Sequence, residues 1–302
     1  MTTETSPYAY PGPVTGPQRA TGKALLGASW QMLRQDRELL WLPVLGAIFG
    51  LIAAAILFVP GWFIGGAVGG ADHHSWAGTV GGAFAAGAAT IVSIFFQSAL
   101  VIGANERSEG GDPTLRGVLR AAWERRAKIL SWGLLTTTVG FAIRALERRL
   151  GIFGNILGFL GGFAWAVASF LVVPVLVAED LGPMASVKRS TQLIKETWGT
   201  SLRTTLRFGL IQIALLLVPV IIGVIGVAAI ASGSSGSVAI GVVLLLVAVV
   251  AFLALAMVFS AIGSYARALI YRYATGRPVP GIDPTLFAGV FLTKKRVRRL
   301  FA

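Results

Sequence analysis

The chain has 302 residues, of which 55% are hydrophobic and only 13% charged, with a mean hydropathy of +0.75. Soluble domains carry roughly 25% charged residues, so a soluble globular fold is excluded, and the absence of cysteine excludes disulfides, thiolate metal sites and cysteine nucleophiles. The net charge of +13 arrives without a base-reading or stacking motif, which sets nucleic-acid binding aside and points to anionic lipid instead.

The first 20 residues, opening MTTETSPYAYPGPVTGPQ, are rich in Pro, Gly and Thr. They lack a basic region ahead of an apolar core, so they do not read as a signal peptide. Their composition predicts a disordered tail. Residues 21–302 read as a single membrane domain. A helix needs about 20 apolar residues to cross a bilayer. Six runs meet this, at about 39–64, 78–104, 129–146, 155–178, 206–231 and 238–263. The third is the weakest, with only Ile129 to Ile143 uninterrupted before Arg144. A buried or re-entrant segment is the alternative there.

Charge placement decides for a span. All but three of the 26 Lys and Arg fall before the first run, after the second, after the fourth or after the sixth. Cytoplasmic loops carry this excess. Both termini and the loops around Arg120 and Lys188 are therefore expected on the cytoplasmic side of a bacterial inner membrane. The exceptions, Arg144, Arg148 and Arg149, lie in RALERRLG at 144–151, which must face outward. Arg144 can snorkel to the interface, with Glu147 within helical pairing distance. An interfacial anchor is the favoured reading of Arg144, and a functional intramembrane arginine is the alternative.

Between the greasy runs lie polar, basic helices at about 22–37, 113–127, 183–198 and 284–301. In the third, Met184, Val187, Thr191, Ile194 and Trp198 share one face, while Lys188, Arg189, Lys195 and Glu196 lie mostly elsewhere. Pro183 suits the first helical position. Such a helix belongs in the membrane interface. SWQMLRQD at 29–36 aligns with STQLIKET at 190–197, and DPTL opens both 112–115 and 283–286. The chain thus reads as an all-α, six-helix transmembrane bundle of three repeats, each an interfacial helix followed by a hairpin. A fourth interfacial helix, with Lys294, Lys295, Arg296, Arg298 and Arg299, closes it.

The segment AEDLGPMASVKRSTQLIKETWGTSL, 178–202, resembles a pattern in a loose group of bacterial polytopic membrane proteins. There an acidic residue ends a span, Leu-x-Pro and a Lys-Arg-Ser turn follow, and Trp closes the interfacial helix. The group includes the membrane region of some glycerophosphodiester phosphodiesterases and several families of unknown function common in actinobacteria. One of these, an uncharacterised six-span family, resembles the chain from about Gly22 onward. The resemblance implies the architecture and no established activity. The chain lacks the soluble phosphodiesterase domain, so that activity does not carry over.

No phosphate-binding loop and no nucleophile elbow is present. Asp72, His73 and His74 are adjacent, but neighbouring side chains rarely converge on one metal and no fourth ligand is evident. The reading is an exposed outer loop. Gln97, Gln212, Thr136 to Thr138, Ser93, Ser131, Ser169 and Ser260 are expected to bond between helices. Glu179 and Asp180 read as a solvated loop end, with gating or partner contact as the alternative. Gly154, Gly158, Gly162 and Ala166, and Gly46 with Gly50, form small-residue stripes. Packing within the bundle is the favoured use of these, and homodimerisation the alternative. Pro174 and Pro219 are expected to kink spans, and Pro60 to kink or end one. No catalytic, cofactor-binding or metal-ligating residue is assigned. The expected role is a non-catalytic membrane scaffold or interaction protein, and the main rival is a transporter or lipid-handling protein.

Overall fold

The computed structural model describes residues 22–70, 73–197 and 202–277. The predicted tail, Asp72, Trp198 and the closing helix at 284–301 lie outside the described residues. Every regular element among the described residues is helical. In chain order they are α1 (Gly22–Gln35), a 3-10 turn (Arg37–Leu40), α2 (Trp41–Val68), α3 (His73–Ser108), α4 (Leu115–Glu124), α5 (Arg126–Ser169), α6 (Val172–Ala178), α7 (Pro183–Thr197), α8 (Leu202–Ala231) and α9 (Ser235–Ala274).

Six segments are long and apolar enough to cross a membrane: Arg37–Val68, His74–Ser108, Arg126–Leu150, Phe153–Ala178, Gln212–Ala231 and Gly236–Arg272. They correspond one to one with the expected spans. The first continues through Pro60 to Val68, so Pro60 does not end it. The second begins at the histidines: His73 and His74 open α3 rather than sitting in an outer loop.

The third span, the doubtful one, is resolved by α5. The element extends over 44 residues, Arg126–Ser169, yet it folds back on itself. The rings of Trp132 and Trp165 stack with centroids 5.8 Å apart. On a straight helix, residues that far apart in sequence would be separated by about 50 Å. Glu147 lies directly against Gly154 and Gly158, so the reversal falls between Glu147 and Gly154. Two antiparallel spans result, and Arg144 is exposed near the turn. Glu147 turns across the hairpin toward Gly158 instead of serving Arg144.

The other two hairpins are α2 with α3 and α8 with α9, which make the most extensive contacts between helices among the described residues. Both close through glycine. A Cβ on Gly61 would stand 2.9 Å from the Gly81 Cα, and one on Gly226 would stand 2.9 Å from the Gly241 carbonyl oxygen. Gly65 is tighter still, lying on the Trp76 carbonyl and the Ala77 backbone. The fourth-span stripe is used only in part. Gly154 and Gly158 pack, whereas nothing lies within 4 Å of a Cβ on Gly162.

The fourth span is broken four residues before Pro174, which offers the Phe170 carbonyl no N–H and crowds it with its ring. The helix stops at Ser169 and restarts as α6 at Val172. The freed Leu171 N–H donates to Ser190 Oγ of α7 at 3.2 Å. This fixes which face of α7 is buried. Ser186, Ser190 and Leu193 are fully buried and Ile194 nearly so, while Met184 is 55% exposed. The docked face is therefore rotated toward the serines relative to the face centred on Met184, Val187 and Thr191. Small hydroxyl side chains let α7 approach closely, and Ser186 satisfies its own hydroxyl on the Gly182 carbonyl at 3.0 Å.

The core is concentrated at one end of the bundle. Leu33, Leu39, Leu42, Leu100, Val118 and Ile129 are fully or almost fully buried there, against Ala261, Tyr265 and Ala268 of α9. The last third of α9 is the pillar around which α1, α3, α6 and α7 assemble. The opposite halves of the spans expose large apolar side chains, such as Leu51, Phe63, Phe159 and Val250. An apolar exterior of this kind suits lipid, where it costs nothing, and would be an aggregation surface in water.

Candidate functional site

The polar chemistry of the described residues gathers at the core end. Asp36, immediately before the 3-10 turn, has a fully buried side chain. Arg107, at the end of α3, donates to its Oδ1 from Nε at 2.9 Å and again from Nη2. Tyr265 of α9, itself fully buried, donates its hydroxyl to Asp36 Oδ2 at 2.9 Å. Arg107 also reaches the exposed Asp112 at 2.5 Å. A buried carboxylate is tolerable only when so enclosed by donors.

A second knot lies beside the first. Glu179, at the end of α6, accepts from Arg189 Nε at 3.2 Å and from the Tyr271 hydroxyl at 3.0 Å. Arg277 stands 5.8 Å above the Tyr271 ring. The buried Arg272 pairs with Glu109 at 2.9 Å. Lys128 bridges to Asp180 at 2.6 Å and, beside it, holds that carboxyl below the ordinary carboxylate range. Asp180 is the exposed loop end expected, whereas Glu179 is largely buried. They tie α6 to α7, α9 and the start of α5.

These pairs join the start of the first span, the end of the second, the start of the third and the ends of the fourth and sixth. All five chain positions therefore lie at the same end, as the alternation of spans requires.

Above the knots, α2, α3 and α9 leave a cavity of about 210 Å³. Phe96, Leu100, Leu253 and Met257 supply apolar wall, and Ser93, Gln97 and Ser260 supply polar groups. Ala47 and Leu253 on its rim are exposed on the lipid-suited exterior, so the cavity opens sideways. Behind the lining residue Gln97 stands Arg267. Its Nη1 donates to Gln97 Oε1 at 3.4 Å, and its Nη2 lies 3.7 Å from where a Cβ on Gly263 would be. Gly263 and Ser260 are one and two turns before Arg267 on the same face of α9, so the guanidinium points back toward the cavity.

The remaining intramembrane hydroxyls were expected to bond between helices. Several bond within their own helix instead. Ser131 donates to the Ala127 carbonyl at 2.7 Å and Thr138 to Leu134 at 2.9 Å. Ser169 reaches the Ala166 carbonyl at 3.4 Å. A hydroxyl with a carbonyl one turn below needs no second helix. Gln97 is the member of that set that bonds across, to Arg267. Asp36 and Arg267 were not singled out from sequence. The available signal for Arg267 was a lone charge at the edge of an apolar run; Asp36, set among Arg34, Arg37 and Glu38, offered none.

The model of a family of unknown function, DUF6159, matches residues 88–279, more than half of the chain. The chain belongs to DUF6159. No curated protein and no solved structure matches it. The DUF6159 region contains Gln97, Arg107, Glu179, Tyr265, Arg267 and Tyr271. Asp36 and the α2 wall of the cavity lie before it.

Proposed function

We propose that this DUF6159 protein is a non-catalytic scaffold of the bacterial cytoplasmic membrane that seats its basic end on the anionic inner leaflet. The observation that carries the reading is α4. Val118 and Ala122 are fully buried on one face, Val118 near Gly103 of α3. Arg116, Arg120 and Glu124 are exposed on the other. Trp123 is 61% exposed, with its ring edge-on to Phe95 at 6.3 Å and the Arg126 guanidinium 5.4 Å from its centroid. A tryptophan with apolar contact on one side and a cation on the other suits the headgroup level. α7 offers the exposed Lys188 and Lys195 at the same end.

The threefold repeat belongs to this proposal. Ser29 and Leu33 of α1 and Ser190 and Ile194 of α7 hold matching places in the two aligned segments, all four are buried, and both helices pack on α9. Kinship with actinobacterial six-span families, and more distantly with the membrane region of glycerophosphodiester phosphodiesterases, rests on segment 178–202. The lateral cavity favours a second reading, in which the protein handles lipid.

Orientation is tested by cysteine substitution, since the chain has no native cysteine. A cysteine at Arg120 is expected to be shielded from an impermeant thiol reagent in intact cells, and one at Ser234 to be labelled. Labelling at 120 from outside would sink the orientation. The scaffold reading is tested on the protein in nanodiscs. Melting is expected at a higher temperature in phosphatidylglycerol than in phosphatidylcholine. Each surface cation contributes on the order of 1 kcal/mol. The gap should close as salt approaches about 1 M, where the Debye length is about 3 Å. It should also shrink in the combined Arg116→Gln, Arg120→Gln, Lys188→Gln variant. Equal melting in the two lipids would leave the basic helices a topological role alone.

A further inference from the structure

We propose that Arg267 and the cavity beside it bind one anionic glycerophospholipid, with its phosphate on the guanidinium and an acyl chain along the apolar wall. This rests on the reading that the basic end faces the anionic leaflet.

Three observations converge. First, the Arg267 charge is uncompensated: among the described residues no carboxylate pairs with it, and its single hydrogen bond, to neutral Gln97, is long at 3.4 Å. Asp36, Glu179 and Glu109, at the same end, are engaged by Arg107, Arg189 and Arg272. A partly buried cation without an anion is costly, and a phosphate accepts guanidinium N–H groups in the geometry that arginine offers. Second, the cavity is amphipathic in the order a phospholipid requires. Its polar groups Gln97 and Ser260 stand nearest Arg267, and Leu253 continues the wall toward the bilayer interior. It borders Pro43 and Ala47, in the first two turns of α2, which is headgroup to upper-chain depth. Third, its size and opening suit a ligand that enters from the side better than one that is wholly enclosed. Pockets that engulf a small molecule measure roughly 300–1,000 Å³, whereas this one holds about 210 Å³ and opens toward the lipid-facing side. A bilayer lipid can enter laterally and leave the rest of its chains outside.

The test uses the purified full-length chain, delipidated in neutral detergent, with lipid retention followed by native mass spectrometry and thermal melting. One phosphatidylglycerol per chain is expected to remain tightly bound, phosphatidylcholine less, and inorganic phosphate is expected neither to bind detectably nor to raise the melting temperature. Arg267→Gln should weaken phosphatidylglycerol binding about tenfold or more, the usual effect of losing a charged hydrogen bond. It should also raise the melting temperature of the lipid-free protein, because an unpaired charge is removed; a merely structural arginine would lower it. Arg267→Lys should restore part of the binding. Ala256→Phe, which fills the cavity and keeps the arginine, should abolish retention and decides the matter if Arg267→Gln does not fold. The variant carrying Arg116→Gln, Arg120→Gln and Lys188→Gln should keep the bound lipid even though its nanodisc stabilisation falls, which separates this site from the surface reading. Unchanged lipid retention in both Arg267→Gln and Ala256→Phe, or inorganic phosphate binding as tightly as phosphatidylglycerol, would overturn the proposal.

Discussion

Asp36→Ala is expected to destabilise the bundle by about 3–5 kcal/mol, the usual effect of removing one partner from a buried ion pair. The Asp36 side chain is fully buried, and it accepts from Arg107 and Tyr265. Without it, the Arg107 guanidinium keeps only Asp112, whose side chain is 88% exposed, and the Tyr265 hydroxyl faces an apolar core with no acceptor. Asp112→Ala should cost no more than about 1 kcal/mol, because an exposed pair is weakened by solvent and by the entropy of holding two mobile side chains. Tyr265→Phe should fall between, at about 1–2 kcal/mol for one hydrogen bond to a charged group. The measurement is thermal unfolding in a fixed detergent, followed by circular dichroism. If Asp36→Ala and Asp112→Ala melt together, the buried carboxylate is not the lock that joins α1, α3 and α9.

Gly65→Leu is expected to disrupt the first hairpin more than any other glycine substitution in α2 or α3. The Trp76 carbonyl and the Ala77 backbone occupy the place its side chain would take, and backbone cannot turn aside as a side chain can. Overpacking typically costs about 1–3 kcal/mol, and leucine here should reach or exceed the upper figure. The same reasoning orders the fourth span. Gly154→Ala meets the Glu147 backbone and should be clearly destabilising, whereas Gly158→Ala meets the mobile Glu147 carboxylate and should cost less. Gly162→Ala meets nothing within 4 Å and should be neutral or stabilising by up to about 1 kcal/mol through helix propensity. Equal losses at 154, 158 and 162 would mean that the stripe packs along its whole length.

The six spans and their pairing as hairpins were legible because hydropathy and Lys/Arg placement are local sums. Any window of about 20 apolar residues answers to the bilayer whatever its neighbours do. Even the doubtful third span was recoverable, since dropping it would have put Arg116 and Lys188 on opposite sides. The face of α7 was not recoverable. Apolar spacing alone selects Met184 and Val187, and what selects Ser190 is a backbone N–H left unpaired at the break before α6, on another helix.

What the sequence determined by itself, then, is the class, the six helices long and apolar enough to cross a membrane, and the end at which charge collects. Each follows from the free energy of transferring a short segment between water and lipid. The tertiary structure decided which charges are neutralised and which is left over. Arg107 lies 71 residues from Asp36, and Tyr265 lies 229 residues from it, so no window along the chain contains the pair. Arg267 becomes distinctive only when the carboxylates around it are seen to be taken. Ion pairing depends on distances of a few ångströms between side chains remote in sequence, and packing around the end of α9 sets those distances.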